Sequence, residues 1–289
     1  MKFGAVYPQI ELGGDPRAIG AIGVAVEEFG YESLVVYDHV VGAVHADRDP
    51  PLWGPYTEAD PFHDPFVMFG YLAALTSRIE LATGVLILPQ RQTVLVAQQA
   101  ADADLLSGGR LRLGVGTGWN YVEYDALGQQ FDTRGPRLDE QIGFLRSLWA
   151  DPLVSFEGRF DRIERGCINP RPGRQIPIWI GGFSEPAFRR GGRVGDGFSF
   201  AGDVDRCEAG ISRVRQHLTE SGRSSHGFGF ELIMTRARSA EVVVEETSRW
   251  QDSGGTHVAV VSMKLGLDSA AAHIDHFGSV KQALAAAGF

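Results

Sequence analysis

Four short stretches of this 289-residue chain place reactive side chains or exposed backbone directly after an apolar run. In SLVVYDHVV, Asp38 stands beside His39 at the end of the run. A histidine next to a carboxylate at a strand end can take up and release a proton near neutral pH. The alternative is a surface histidine beside an unrelated aspartate. His39 opens an irregular stretch rich in Pro, Gly and His (42–63), and long loops in compact domains are usually functional or disordered, which favours the proton-transfer reading. In LATGVLILP (81–89), Gly84 interrupts a strand, the mark of a bulge or of a close backbone approach. GVGTGW (114–119) has the spacing G-x-G-x-G and lacks the third glycine of a dinucleotide fingerprint. It reads instead as a glycine-lined strand end that admits a ligand beside Trp119 and Asn120, and WNYVEYDALG after it is no clean helix start. In IWIGGFSEPAFRR, a strand ends at Gly181-Gly182, Ser184 is placed to cap, and a helix follows at once. Free N–H groups at a helix start can hold a phosphate, although an ordinary strand-to-helix turn has the same look.

Other chemistries are poorly provided for. His39, His45 and His63 lack the H-x-H or H-E-x-x-H spacing of metal ligands, so no metal site is expected. Ser107 and Ser262 sit in no G-x-S-x-G elbow. Cys167 and Cys207 are too few for a disulfide framework, and Cys167 reads as structural. A net charge of −9 without a basic block argues against nucleic acid as a partner. The opening MKFGAVYPQIELGG is neither a signal peptide nor a membrane span, so the expected compartment is the cytoplasm, with no membrane partner.

The elements that must position these residues alternate from end to end. Strands are expected at 3–7, 33–37, 79–85, 111–116, 176–182, 196–200, 228–234 and 256–262. Helices are expected at 16–29, 64–75, 94–106, 137–149, 185–194, 205–221, 240–253 and 268–287, the first capped by Asp15. The charges of helix 137–149 read as a solvated face. An irregular insertion at 151–174 carries the hairpin-like VSFEGRFDRI. Near-continuous apolar strands are those of a parallel sheet covered on both faces. A closed barrel and an open doubly wound sheet both fit; eight regular units with no composition shift favour one (β/α)₈ TIM barrel over residues 1–289. Barrel enzymes build their sites after the strand ends, where the four stretches lie.

Taken together, EEFGYESLVVYDHV (27–40), LAALTSRIELATGVLILPQR (72–91), DLLSGGRLRLGVGTGWNYVEYDALG (104–128) and PIWIGGFSEPAFRRGGRVGDGF (177–198) resemble the luciferase-like monooxygenase superfamily, and within it the F420-dependent oxidoreductase branch. The likeness covers about residues 1–200; the rest is generic barrel. It implies a deazaflavin or flavin ring at the barrel mouth, contacted by Asp38 and His39. It also implies a non-proline cis peptide at Gly84–Val85 backing the ring. Gly116, Thr117 and Gly118 would flank the cofactor, and Gly181, Gly182, Phe183 and Ser184 would hold its phosphate. The implied reaction is hydride transfer between coenzyme F420 and a small organic substrate, with His39 as proton relay and Asp38 orienting it or touching the ring. The alternatives are a reduced-FMN-dependent monooxygenase and a non-catalytic flavin-binding barrel whose mouth is plugged by residues 42–63. Where some relatives carry an acid after the fourth strand's glycines, this chain has Trp119. That weighs towards an apolar substrate lined by Trp53, Tyr56, Phe62 and Trp119. A homodimer is the expected assembly.

Overall fold

Strands buried on both faces need apolar residues at nearly every position, and the strands here have them. The computed structural model describes residues 1–236 and 238–289. Its strands are β1 Lys2–Val6, β2 Ser33–Val36, β3 Glu80–Thr83, β4 Leu86–Ile87, β5 Leu111–Gly116, β6 Val154–Glu157, β7 Arg162–Gly166, β8 Ile178–Gly181, β9 Gly197–Gly202, β10 Gly229–Met234 and β11 His257–Val261. β6 and β7 form an antiparallel hairpin apart from the main sheet, within the expected insertion. The others pair in parallel in the order β3-β2-β1-β11-β10-β9-β8-β5, and β3 pairs with β5 (Leu81↔Leu111), closing an eight-stranded TIM barrel. The short β4 prolongs β3 beyond a break at Gly84–Val85, whose peptide is cis. The strand expected at 79–85 therefore stops at Thr83, and a second short piece follows beyond the glycine at Leu86–Ile87.

The helices are α1 Pro16–Glu28, α2 Pro65–Leu75, α3 Thr93–Leu106, α4 Tyr121–Ala126, α5 Arg134–Ala150, α6 Glu185–Val194, α7 Val204–Glu220, α8 Ala240–Asp252 and α9 Ala270–Ala286. Asp15 and Asp64 cap α1 and α2 by accepting from the N–H groups of Arg17 (2.9 Å) and Phe66 (2.9 Å), each with proline next. The charges of α5 do more than meet solvent. The Glu140 carboxylate accepts from the N–H groups of Arg159, Phe160 and Asp161 and holds the hairpin, while Asp139 grips Arg190 of α6 at 3.0 and 3.2 Å. Cys167 is exposed, so it is no core residue.

The barrel is closed below by a buried ion network. Arg112 donates to Glu231 at 2.9 and 3.1 Å and to Glu80 at 2.5 Å, Ser199 Oγ donates to Glu231 at 2.7 Å, and Trp179 lies 4.2 Å under the guanidinium. The indole fits because Gly197 and Gly229 carry no side chain; a Cβ there would fall 2.3 and 2.1 Å from the ring. Partners for every charge are what such burial requires. Above this floor lies an apolar layer of Val6, Val35, Ala82, Ile233, Ala259 and Val261. The interior is thus packed except at the C-terminal mouth.

Candidate active site

At that mouth the strand ends enclose a cavity of about 1130 Å³. Its walls include Asp38 and His39 after β2, Gly84 and Val85 between β3 and β4, Gly116, Thr117, Gly118 and Trp119 after β5, and Gly181, Gly182, Phe183 and Ser184 after β8. Tyr56 reaches it from the long loop. Phe62 stands behind the wall, its ring 4.7 Å from His39 and 4.9 Å from Tyr56. Trp53 does not join them. It is 80% exposed, because the loop turns at Gly54 to pack on the Trp119 ring and leaves its neighbour in solvent. The loop roofs the cavity without plugging it.

The glycines act indirectly. A Cβ on Gly116 or Gly181 would fall 2.6 Å from a Val85 methyl, so their bareness is what lets Val85 lie across the barrel interior. Val85, Ile233, Val261 and Met263 then present an apolar floor. After β8, Gly182 adopts φ +144°, a backbone that side chains disfavour, and the chain turns directly into α6. Ser184 occupies the N-cap position with its hydroxyl uncommitted to the helix. The first helical residue is acidic, yet its charge is drawn aside: the Glu185 carboxylate meets His217 Nε2 at 2.5 Å and Arg213 Nη2 at 2.8 Å. The start of α6 is thereby left favourable to an anion.

Asp38 and His39 take opposite directions, as successive side chains of an extended chain do. The Asp38 carboxylate is buried and fully used. It accepts from Arg91 Nη2 at 2.7 Å and from the N–H of Ile87 at 2.9 Å, tying β2 to the segment after Gly84–Val85. Burial raises its pKa, and the Arg91 guanidinium acts against that rise. Asp38 therefore braces the cavity wall, and another residue faces the histidine. That residue is Glu123 of α4, 1% exposed, with Oε2 3.3 Å from His39 Nδ1. Its Oε1 accepts from the N–H groups of Val40 (2.5 Å) and Val41 (3.1 Å). A carboxylate at Nδ1 favours the proton there, which leaves Nε2 as the acceptor. The imidazole is wedged among Tyr56, Phe62 and Trp119 at ring separations of 5.2, 4.7 and 5.5 Å.

α4 itself is a helix where none was expected. Asn120 caps it, accepting from the N–H of Val122 at 3.1 Å, and Asn120-x-x-Glu123 is the spacing that marks such a start. The glutamate at the third position turns to His39 and away from its own cap. Among the described residues no cluster of His, Cys, Asp or Glu has the arrangement of a metal site, and no helix is long and apolar enough to cross a membrane. A second hollow of about 570 Å³, at residues 149–150 and 169–175, has its arginines engaged: Arg171 with Ala150 O and Arg174 with Asp104.

Comparison with known proteins agrees with this geometry. The sequence model of the luciferase-like monooxygenase family matches residues 1–286. An uncharacterized protein of Mycobacterium tuberculosis is 32% identical over 240 residues, 82% of each chain. An F420-dependent glucose-6-phosphate dehydrogenase of Nakamurella multipartita is 32% identical over 201 residues, 68% of this chain but only 55% of the dehydrogenase. Among solved structures, an F420-dependent secondary alcohol dehydrogenase in complex with an F420-acetone adduct superposes with a TM-score of 0.80 at 16% identity, covering 98% of both chains. The coenzyme F420 dependent tetrahydromethanopterin reductase of Methanopyrus kandleri gives 0.78 at 16%, covering 99% of this chain and 98% of its own. At such identities the two structures speak for the fold.

Proposed function

The chain belongs to the luciferase-like monooxygenase family, and from that premise we propose that it is an F420-dependent oxidoreductase acting on a small organic substrate. The observation that carries this reading is the meeting of His39, Val85, Gly116–Gly118 and Gly181–Ser184 on one cavity. The residues suit a deazaflavin. Val85, seated where a Cβ on Gly116 or Gly181 would clash, offers an apolar surface for a planar ring, and the start of α6 offers N–H groups and the Ser184 hydroxyl to a phosphate. Gly84, Val85, Gly116, Thr117 and Gly118 would hold the ring, and Gly181, Gly182, Phe183 and Ser184 the phosphate. When bound, the deazaflavin supplies a two-electron hydride donor or acceptor.

The protein's own part is proton handling and exclusion of water. His39 Nε2 is the atom we assign to move the proton that accompanies hydride transfer. Glu123, facing Nδ1 at 3.3 Å, holds the imidazole in register. Tyr56 and Trp119 wall the substrate side and favour an apolar molecule. Asp38 braces the cavity wall through Arg91 and Ile87 and also lines the cavity beside the ring. The assembly we propose is a homodimer. α2 has no charged residue and exposes Val67, Tyr71 and Leu75 along one face, as a helix covered by a partner does.

Titrating the cofactor-free protein with F420 and with FMN tests the reading. Preferential, saturable binding of F420 is expected. Tighter binding of reduced FMN with oxygen uptake would move the protein to the monooxygenase reaction, and binding of neither would end the redox reading.

A further inference from the structure

Beyond the start of α6 the cavity wall carries arginines that the proposed chemistry does not use. Arg134 opens α5 and Arg206 lies in the first turn of α7, and both line the cavity. Each is laid flat on an aromatic ring: Arg134 is 3.7 Å from the Phe131 centroid and Arg206 is 4.1 Å from that of Phe183. Arg134 Nη1 also donates to Phe131 O at 2.8 Å. Among the described residues neither guanidinium has a carboxylate in ion-pair contact. The neighbouring cations differ. Arg190 is bound to Asp139 at 3.0 Å, and Asp139 also takes Arg193 at 2.7 Å, so these two cations share one carboxylate and Arg190 is already committed to it. Asp132, exposed on the same rim, is the one other acid lining this side.

The two arginines also stand in a definite place. Phe183 is one of the residues assigned to the phosphate, and the Arg206 guanidinium rests on it. Arg134 precedes Gly135, whose carbonyl accepts from Arg190 of α6 at 3.1 Å, so it flanks the same helix from the other side. Stacking fixes the planes of both groups and leaves N–H edges for a ligand. In a chain of net charge −9, two guanidinium groups without carboxylate partners at one cavity rim are a local reversal of sign.

We infer that Arg134 and Arg206 receive the anionic extension of the cofactor, the carboxylate-bearing glutamyl tail by which F420 continues past its phosphate and FMN does not. This inference rests on the F420 reading above and adds to it the residues by which the chain prefers F420 to FMN. The contacts are at the rim, so each is modest and sensitive to salt.

The test is equilibrium binding, read by deazaflavin fluorescence, for oligoglutamyl F420 and for the same deazaflavin ending at phospholactate. The wild-type chain and the double variant Arg134→Gln/Arg206→Gln are compared, with thermal melting to verify the fold. Two rim ion pairs predict about five- to tenfold tighter binding of the oligoglutamyl form at low salt. That preference should vanish in the double variant and fade at high salt, while affinity for the truncated form stays unchanged. Equal affinity of the wild-type chain for both forms, or a preference that survives the double variant, would overturn the tail assignment and leave the F420 reading standing. If neither form bound the wild-type chain, the F420 reading itself would fall and take this inference with it.

Discussion

Replacing Glu123 separates its two tasks. Its Oε1 takes two backbone N–H groups, from Val40 and Val41, and its Oε2 faces His39 Nδ1. Glu123→Ala would leave both N–H groups without a protein acceptor, at roughly 0.5–1.5 kcal/mol each, because Val40 and Val41 are exposed and water can take over part of the bond. The total is about 1–3 kcal/mol, or a fall in Tm of roughly 2–10 °C for a domain of this size. Glu123→Gln keeps an acceptor for Val40 and Val41 and turns an amide N–H₂ towards the imidazole. The histidine must then accept at Nδ1 and carry its proton on Nε2, the reverse of the arrangement the carboxylate favours. Stability should change by less than about 1.5 kcal/mol, because the backbone donors stay paired. Proton transfer from the wrong tautomer should cost about 10²–10⁴ in turnover. The tautomer can be read without a substrate, by ¹⁵N NMR of histidine-labelled protein at neutral pH, the His39 signal being assigned by its loss in His39→Asn. A wild-type His39 protonated at Nε2, or a tautomer unchanged in Glu123→Gln, would refute the positioning argument. So would a Glu123→Ala variant as stable as the parent.

Three further outcomes follow from the same geometry. Gly181→Ala should displace Val85 and weaken F420 binding about tenfold or more, and Val85→Ala in that background should restore part of the loss; additive effects of the two changes would contradict the contact. Acid should destabilise the fold through buried histidines. His257 is held down to about 4 by burial and then Arg112, and His273 to about 4 by burial and then His276. Since both values lie below the ordinary 6.5, the unfolded chain binds more protons in between. Their contribution, at most about 3 kcal/mol each, is whole above pH 6.5 and is lost as pH falls towards 4. Melting curves should show Tm falling over that range and falling less in His273→Asn; a flat profile would contradict the assignment. Leu75→Glu on the apolar face of α2 should shift the molecular mass measured by light scattering from dimer to monomer, and a wild-type monomer would refute the proposed assembly.

The barrel was legible because parallel strands covered on both faces must be apolar throughout, and that pattern survives at each strand. The glycines at 84, 116 and 181 marked the mouth correctly, but their reason lay elsewhere. Gly116 and Gly181 make room for Val85, and Gly84 makes room for Val35, contacts between strands that no local pattern states. Asp38 beside His39 suggested a pair; the structure gives Asp38 to Arg91, 53 positions on, and gives His39 to Glu123. α4 is too short to show a period, and only the Asn120-x-x-Glu123 spacing could have signalled it. Trp53 was misplaced because the path of the 42–63 loop depends on Gly54 meeting Trp119, a tertiary contact invisible to periodicity.

The central claim is that one tricyclic ring lies at the meeting point of four strand ends. A crystal structure of the F420 complex examines it directly. The ring should rest against Val85, with His39 Nε2 at its substrate side and its phosphate at residues 182–184. A ring bound anywhere outside the cavity, or a phosphate remote from the start of α6, would contradict it.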